Sequence, residues 1–469
     1  MAQHDYIISN QTFPNTRADI NNALLAISSN NSGTSAPTTQ YAGQFWLDTN
    51  TPSTSVWTLY IHDGSDDIQF AQIDTSANTV NFIDSALASD VVISTSGAVS
   101  TSGAFTATGT IKLDGNYPTG TANVALGDTA LDSVEAGGTD NVAIGDHAGT
   151  AITTGDKNIA IGSCALEKNT TAGENVAIGQ QALQCNVTGI HNTGIGAGAL
   201  LKNTDCRNVA VGYHSLLCNT SGESNTAIGY NSLDANTTAD DNTAVGTCSL
   251  TANTTGTPNV AVGSSALRDN TTGANNVAVG RSVLKVSTTA SDNTGIGSFS
   301  LNANTTGCKN TSTGGLSMLG NTEGCQNSAF GFQAMKCNTT GDNNTGLGQN
   351  ALFGNTTANS NTAVGRAALQ NSSTGGNNTA VGCGASTNAT SADGNTAIGV
   401  QALRDNETGD NNVAIGLNAL LENTTQRNTA VGMSAAICNT TGQQNVAIGY
   451  FSLDDNTTGG CNIAIGTAL

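Results

Sequence analysis

Charge is what this sequence has least of. Asp, Glu, Lys and Arg make up 10% of the 469 residues, against roughly 25% in an ordinary soluble domain. The little there is leans one way: 14 Lys and Arg against 34 Asp and Glu give a net charge of −20. No basic run interrupts the scattered acids. A polyanion of this kind repels DNA, RNA and anionic membrane surfaces, which excludes nucleic acid as a partner. Aromatic residues are 4% of the chain, and most apolar residues are Ala, Val, Ile and Leu. Side chains of that size suit a thin core repeated many times better than one thick core. No run of about eighteen apolar residues occurs, so nothing spans a membrane as a helix. The opening MAQHDYIISNQTF has neither a basic n-region nor an apolar h-region, so no secretory signal is visible. Eleven cysteines are present, all after residue 160 and never as C-x-x-C. That is poor material for a disulfide framework or a zinc site.

What is present is a repeat. The stretch NTAVGTCSLTANTTGTPNVAVG, residues 242–263, gives Asn, Ala, an aliphatic residue and Gly twice, seventeen residues apart. The Asn recurs twenty-one times from Asn123 to Asn462, and no step departs from 17 by more than one residue. A Gly follows four residues after every one of these Asn, from Gly127 to Gly466. A period of this size sustained this long means a solenoid. It also answers the polar, Gly-rich composition, which by itself would suggest disorder.

The unit reads physically, with its Asn numbered 0. Asn-x-Ala-x-Gly alternates with the period of a strand. Positions +1 and +3 carry Val, Ile or Thr and then Ile, Val or Leu, as in Val176 and Ile178. They share one face, and Asn, Ala and Gly share the other. A short segment then ends in Leu at +8, and a turn of the type Asn-Thr-Thr-Gly follows, as at 253–256. Asn and Gly tolerate positive φ, so this is turn chemistry. Each unit is expected to be one coil: strand, turn, short second strand, turn. The ladder residues are exemplified by Asn175, Gly179 and Leu183, by Asn225, Gly229 and Leu233, by Asn259, Gly263 and Leu267, and by Asn445, Gly449 and Leu453. Stacked at ~4.8 Å per coil, twenty-one coils predict a rod of roughly 100 Å. One-residue length changes are expected to be absorbed at the turns. A local irregularity is expected at 310–314, where Thr313 replaces the aliphatic residue.

The fold class is therefore mainly β: a parallel β-solenoid of about 21 coils of 17 residues over 121–469, preceded by a small α+β module over 1–75. In the module, Thr16 and Asp19 read as a capping box, and the spacing of Ile20, Ala23, Leu24 and Ile27 predicts a helix over about 17–29. Residues 32–39 read as a loop, and 44–49, 56–63 and 68–73 as strands holding Trp46 and Trp57. Residues 76–120 read as a β-rich neck.

Candidate chemistry is sparse. The five histidines, His4, His62, His147, His191 and His214, are scattered with no metal-ligand spacing. The G-x-G strings, such as 194–198, are by-products of the repeat without a βαβ context. Asp240-Asp241 and Asp454-Asp455 read as solvated turn acids before they read as a cation site. Cys308 and Cys325 alone share a repeat position on neighbouring units. No catalytic, cofactor-binding or metal-binding residue is assigned, and the chain is not expected to be an enzyme.

Two resemblances add to this reading. The units NTAIGYNSL (225–233) and NVAIGQQAL (175–183) resemble the head repeat of YadA-type trimeric adhesins. The resemblance covers residues 123–469, and both the Asn and the Gly of the motif are kept in every unit. It implies a left-handed parallel β-roll with three chains side by side. The sequence departs from the adhesins in its longer period, in showing no signal peptide and in having no C-terminal membrane-barrel anchor. The opening words, MAQHDYIISNQTFPNTRADINNALLAI, NNSGTSAPTTQYAGQFWLDT and WTLYIHDGSDD, resemble the N-terminal module of marine bacteriophage tail fibres over about 75 residues. This implies a homotrimeric virion protein assembled in the host cytoplasm and held by tail or adaptor proteins through residues 1–75. It further implies a host cell-surface receptor, a glycan or an outer-membrane component. The small-residue Ala/Gly face is expected to pack against copies of the chain. A bacterial cell-surface adhesin is the alternative, and an ice-binding solenoid ranks below it because the Thr residues sit mainly in turns. The ending CNIAIGTAL stops partway through a coil. It predicts that another protein covers this end, or that a self-cleaving trimerisation chaperone followed Leu469 in a precursor.

Overall fold

A computed structural model describes residues 32–38, 40, 42–53, 55–76, 79–82 and 120–467. The chain divides into two units, Met1–Thr110 and Ile111–Leu469. Among the described residues there is no helix. The helix expected over 17–29, with its capping box, lies outside them.

The described part of the first unit is one five-stranded sheet. Its strands are β1 (Ser32–Gly33), β2 (Phe45–Ser53), β3 (Val56–His62), β4 (Asp67–Asp74) and β5 (Thr79–Phe82), paired in that order. From β2 to β5 the pairing is an antiparallel meander, whereas β1 joins the edge in parallel. Two readings change here. Ser32 and Gly33 pair with Leu47 and Asp48, so part of the expected loop is a strand. Thr79–Phe82 pairs with β4, so this sheet extends into the stretch read as a β-rich neck, of which 83–119 lies outside the described residues. Among its described residues the sheet buries Trp46, Asp48, Thr58, His62 and Ala71, and Trp46 stacks on its cross-strand partner Tyr60, with ring centroids 4.5 Å apart and planes 9° from parallel. Such cross-strand aromatic pairs are the usual unit of sheet stabilisation.

The second unit is a parallel β-solenoid. Each coil supplies one three-residue strand, from β6 (Val124–Leu126) to β26 (Ile463–Ile465), twenty-one in all. Each strand pairs in register with the next, so that Thr226 lies over Thr243, Ala227 over Ala244 and Ile228 over Val245. β6 pairs with β7 (Val142–Ile144) and β26 with β25 (Val446–Ile448), so the ladder has two ends and is a stack, not a closed barrel. The core is a column of Ala at +2 and Leu at +8, with Ala177, Leu183, Ala227, Leu233, Ala261 and Leu267 wholly buried.

The segment after each Gly differs from the expected second strand. It is a turn in which the residues at +6 and +8 adopt left-handed backbone angles, as in Gln181 (φ 58°) and Leu183 (φ 51°). A left-handed Leu costs roughly 1–2 kcal/mol. Full burial of its side chain returns about 1.5–3 kcal/mol, and the Leu183 N–H also donates to the Ala199 carbonyl of the next coil at 2.9 Å. The strain is thus tolerated because this geometry aims the Leu inward.

The irregularity expected at 310–314 is absent from the backbone. β17 (Thr311–Thr313) pairs in register on both sides. The aliphatic side chain lost at Thr313 does not belong to the core. The core position +2 is Ser312, fully buried, and its hydroxyl lies 2.7 Å from Ser300 Oγ and donates to the Ser317 carbonyl at 3.1 Å. A buried hydroxyl with both partners satisfied fits where Ala stands elsewhere.

Candidate functional site

In a solenoid with no constellation of reactive groups, the candidate site is the ladder and the surface it presents. The Asn at position 0 closes its own coil and ties it to both neighbours. In one coil Asn259 Nδ2 donates to the Gly273 carbonyl at 2.9 Å and to Asn242 Oδ1 at 3.2 Å. Its Oδ1 accepts from the Asn276 backbone N–H at 3.0 Å. Asn175, Asn225 and Asn445 are buried in the same role. No other side chain offers two donors and an acceptor at this length. A second ladder runs through the turn Asn at +11, as in Asn236 Nδ2 to Asn219 Oδ1 at 2.7 Å. It is interrupted in several coils, among them that of Ser287, where Asn270 Oδ1 and Ser287 Oγ are both buried without a partner.

The Gly at +4 is required twice over. Gly263 has φ 134°, and a Cβ there would lie 2.5 Å from the Gly280 carbonyl oxygen. Gly179, Gly229 and Gly449 meet the next coil in the same way. Leu183, Leu233 and Leu267 are wholly buried, while Leu453 packs against the core and is only partly buried.

Length changes are absorbed in the turn, as expected. In the 16-residue coils the Asp205 and Thr425 carbonyls take the place of the usual Gly carbonyl, accepting from Asn192 at 2.8 Å and Asn412 at 2.7 Å. The turn threonines use their hydroxyls within the chain: Thr237 Oγ1 donates to the Thr254 carbonyl at 3.2 Å and Thr254 Oγ1 to the Thr271 carbonyl at 3.0 Å. A hydroxyl spent on the next coil is not free to donate to a water lattice, which weakens the ice-binding reading.

The faces are assigned differently from what the small-residue pattern suggested. The Ala at +2 of the inner coils is spent on the coil's own interior, with Gly or Ser in its place in four coils, so the Ala/Gly face is not offered to copies of the chain. The outward face carries a mostly aliphatic row at +3 beside a row of Val, Ile, Thr and Ser at +1. Residues at +3 stay substantially exposed, as in Ile228 (40%), Ile398 (39%) and Ile448 (38%). Position +3 is apolar in every coil but that of Thr313, and neither +1 nor +3 carries a charged residue anywhere. A second exposed row at +5 holds Tyr213, Tyr230, Phe332 and Tyr450. Tyr213 and Tyr230 stack along the coil direction at 5.6 Å. The reading by residue type passed over this row. Its signal was there: four of the scarce aromatics fall on one repeat position.

The titratable groups are dispersed. His62 faces Asp67 at 3.0 Å, His147 faces Asp146 at 2.7 Å, His191 faces Glu174 at 2.9 Å, and His214 stacks on Tyr213 at 3.8 Å. His4 lies outside the described residues. Asp240 serves the backbone, its carboxylate accepting the Glu223 N–H at 2.9 Å. Burial holds the Asp234 carboxyl above its usual range, and the Arg404 guanidinium holds the Asp405 carboxyl below it. Among the described residues no three His, Cys, Asp or Glu side chains converge on a metal position.

Compared with protein-family models, with curated proteins and with solved structures, the chain has no match.

Proposed function

We propose that the chain is a structural virion protein, a trimeric tail fibre held to the tail by its N-terminal module. Its solenoid reaches out to a host-cell surface, so its work is mechanical and adhesive rather than catalytic. The observation that carries this reading is the outward apolar row on coil after coil. Contiguous exposed apolar surface beyond a few hundred Å² marks an interaction site. The uncharged +1 and +3 rows let copies meet along this face without bringing their acidic residues together. The resemblance of the opening words to phage fibre modules supports the virion rather than the cell envelope. Receptor contact then comes from many weak contacts along the rod or from its distal end.

Antibodies raised against the full chain test the reading. On particles that carry the protein they are expected to decorate fibres projecting from the tail and to block adsorption. Absence of the chain from purified particles would overturn the proposal, and decoration of the cell envelope instead would favour the adhesin.

A further inference from the structure

The eleven cysteines are all free thiols, and two of them are not placed at random. Cys308 and Cys325 both stand at +15, one coil apart. A polar side chain at +15 has a recurring task in this solenoid. Its side chain reaches back to accept the backbone N–H of the +15 residue in the preceding coil, as Asp342 does for Cys325 at 2.7 Å and Asp393 for Gly376 at 2.6 Å. At Cys325 the acceptor is sulfur: the Cys308 N–H lies 3.0 Å from Cys325 Sγ. That bond aims Cys325 Sγ at its neighbour, and the two sulfurs are 3.0 Å apart. Adjacent coils are ~4.8 Å apart, inside the window of about 4.4–6.8 Å that a disulfide spans between Cα atoms. Both thiols are half-buried and open to a small reagent.

We propose that Cys308 and Cys325 form an oxidation site, a built-in clip that closes to a disulfide with a low-molecular-weight disulfide as oxidant. The clip would span the coil of β17, the one strand with polar residues at +1, +2 and +3 (Thr311, Ser312 and Thr313). Cys325 loses its proton and attacks first, because the hydrogen bond to Cys325 holds the Cys308 thiol above its ordinary pKa. The attack breaks the reagent's S–S bond, releases one thiolate and leaves a mixed disulfide on Cys325. Cys308 then loses its proton, attacks Cys325 Sγ and expels the second thiolate. The reagent is reduced to two thiols as the two cysteines are oxidised, so electrons and protons balance.

The test uses the intact folded chain and oxidised glutathione. After quenching and denaturation the remaining thiols are alkylated and counted by intact mass. Nine of the eleven are expected to react, 11 − 2 = 9. Cleavage after Lys309 separates the two cysteines, so the bridge holds together two peptides that part on reduction. Cys308→Ala is expected to stop at the glutathione adduct on Cys325. Preorganisation predicts bridge formation at least ~10-fold faster in the folded chain than in urea. Eleven reactive thiols, separate adducts on both cysteines, a bridge to another cysteine, or equal rates in urea would each overturn the proposal.

Discussion

The N-terminal sheet and the solenoid are both β-structure, yet they bury opposite things. The sheet closes over a stacked Trp46–Tyr60 pair, and its strands differ in length, direction and sequence. The solenoid buries Ala, Leu and a column of Asn amides, and its strands are three residues long and alike. In the sheet a residue is understood from its own neighbours. In the solenoid it is understood from its copies above and below. A defect in the sheet is therefore particular, whereas a defect in the solenoid interrupts a ladder whose stability is a sum of nearest-neighbour terms.

Glycine separates the two units most sharply. Gly263→Ala places a Cβ against the next coil's carbonyl at a φ of 134°. It is expected to cost on the order of 4 kcal/mol or more. Hydrogen exchange should accelerate in the coils on either side while distant coils keep their protection. Gly43→Ala in the sheet also has a positive φ, 82°, but its Cβ meets nothing within 4 Å. It is expected to cost only ~1–2 kcal/mol. Equal losses at the two sites would mean that the coil-to-coil approach is looser than described.

Repair of the second ladder should strengthen a coil instead. Ser287→Asn restores a donor to Asn270 Oδ1 and an acceptor beneath Asn304, and it is expected to stabilise its coil by about 1 kcal/mol. Chemical denaturation monitored by exchange in that coil measures it. No gain, with the amide in place, would show that register alone holds the turn.

The smallest effect is a pH dependence. Arg404 donates to both carboxylate oxygens of Asp405, at 2.9 and 2.6 Å, and holds its folded pKa below the ordinary value. A depressed carboxyl contributes stability above its unfolded pKa, and that contribution is lost as pH falls through the folded pKa. Both side chains are about a third exposed, so the loss is a few tenths of a kcal/mol after solvent screening. Asp405→Asn should remove that part of the acid sensitivity, and an unchanged acid slope would show that the pair contributes nothing.

Much of the solenoid was legible because its signals are repeated. Asn and Gly recur at a fixed interval, and only stacking of like on like explains that. The three strands read around Trp46, Trp57 and Ile68–Ile73 also appear, with ends shifted by a few residues. The direction of the faces was harder to read. Ala is small enough for either a core or an interface, and alternation says which residues share a face but not which face is inside. The left-handed Leu183 and its copies were hidden because their conformation is imposed by the stack, not by local preference. Thr313 misled for the same reason: an aliphatic residue there faces outward, so its replacement leaves the ladder intact.

In the proposed fibre, copies of the chain cover the outward aliphatic row. Light scattering on the purified protein tests it most directly. Three chains of 47.0 kDa give about 141 kDa, and that is the mass expected of the trimeric fibre. A mass near 47.0 kDa at working concentrations would leave the row open to solvent and contradict the trimeric fibre.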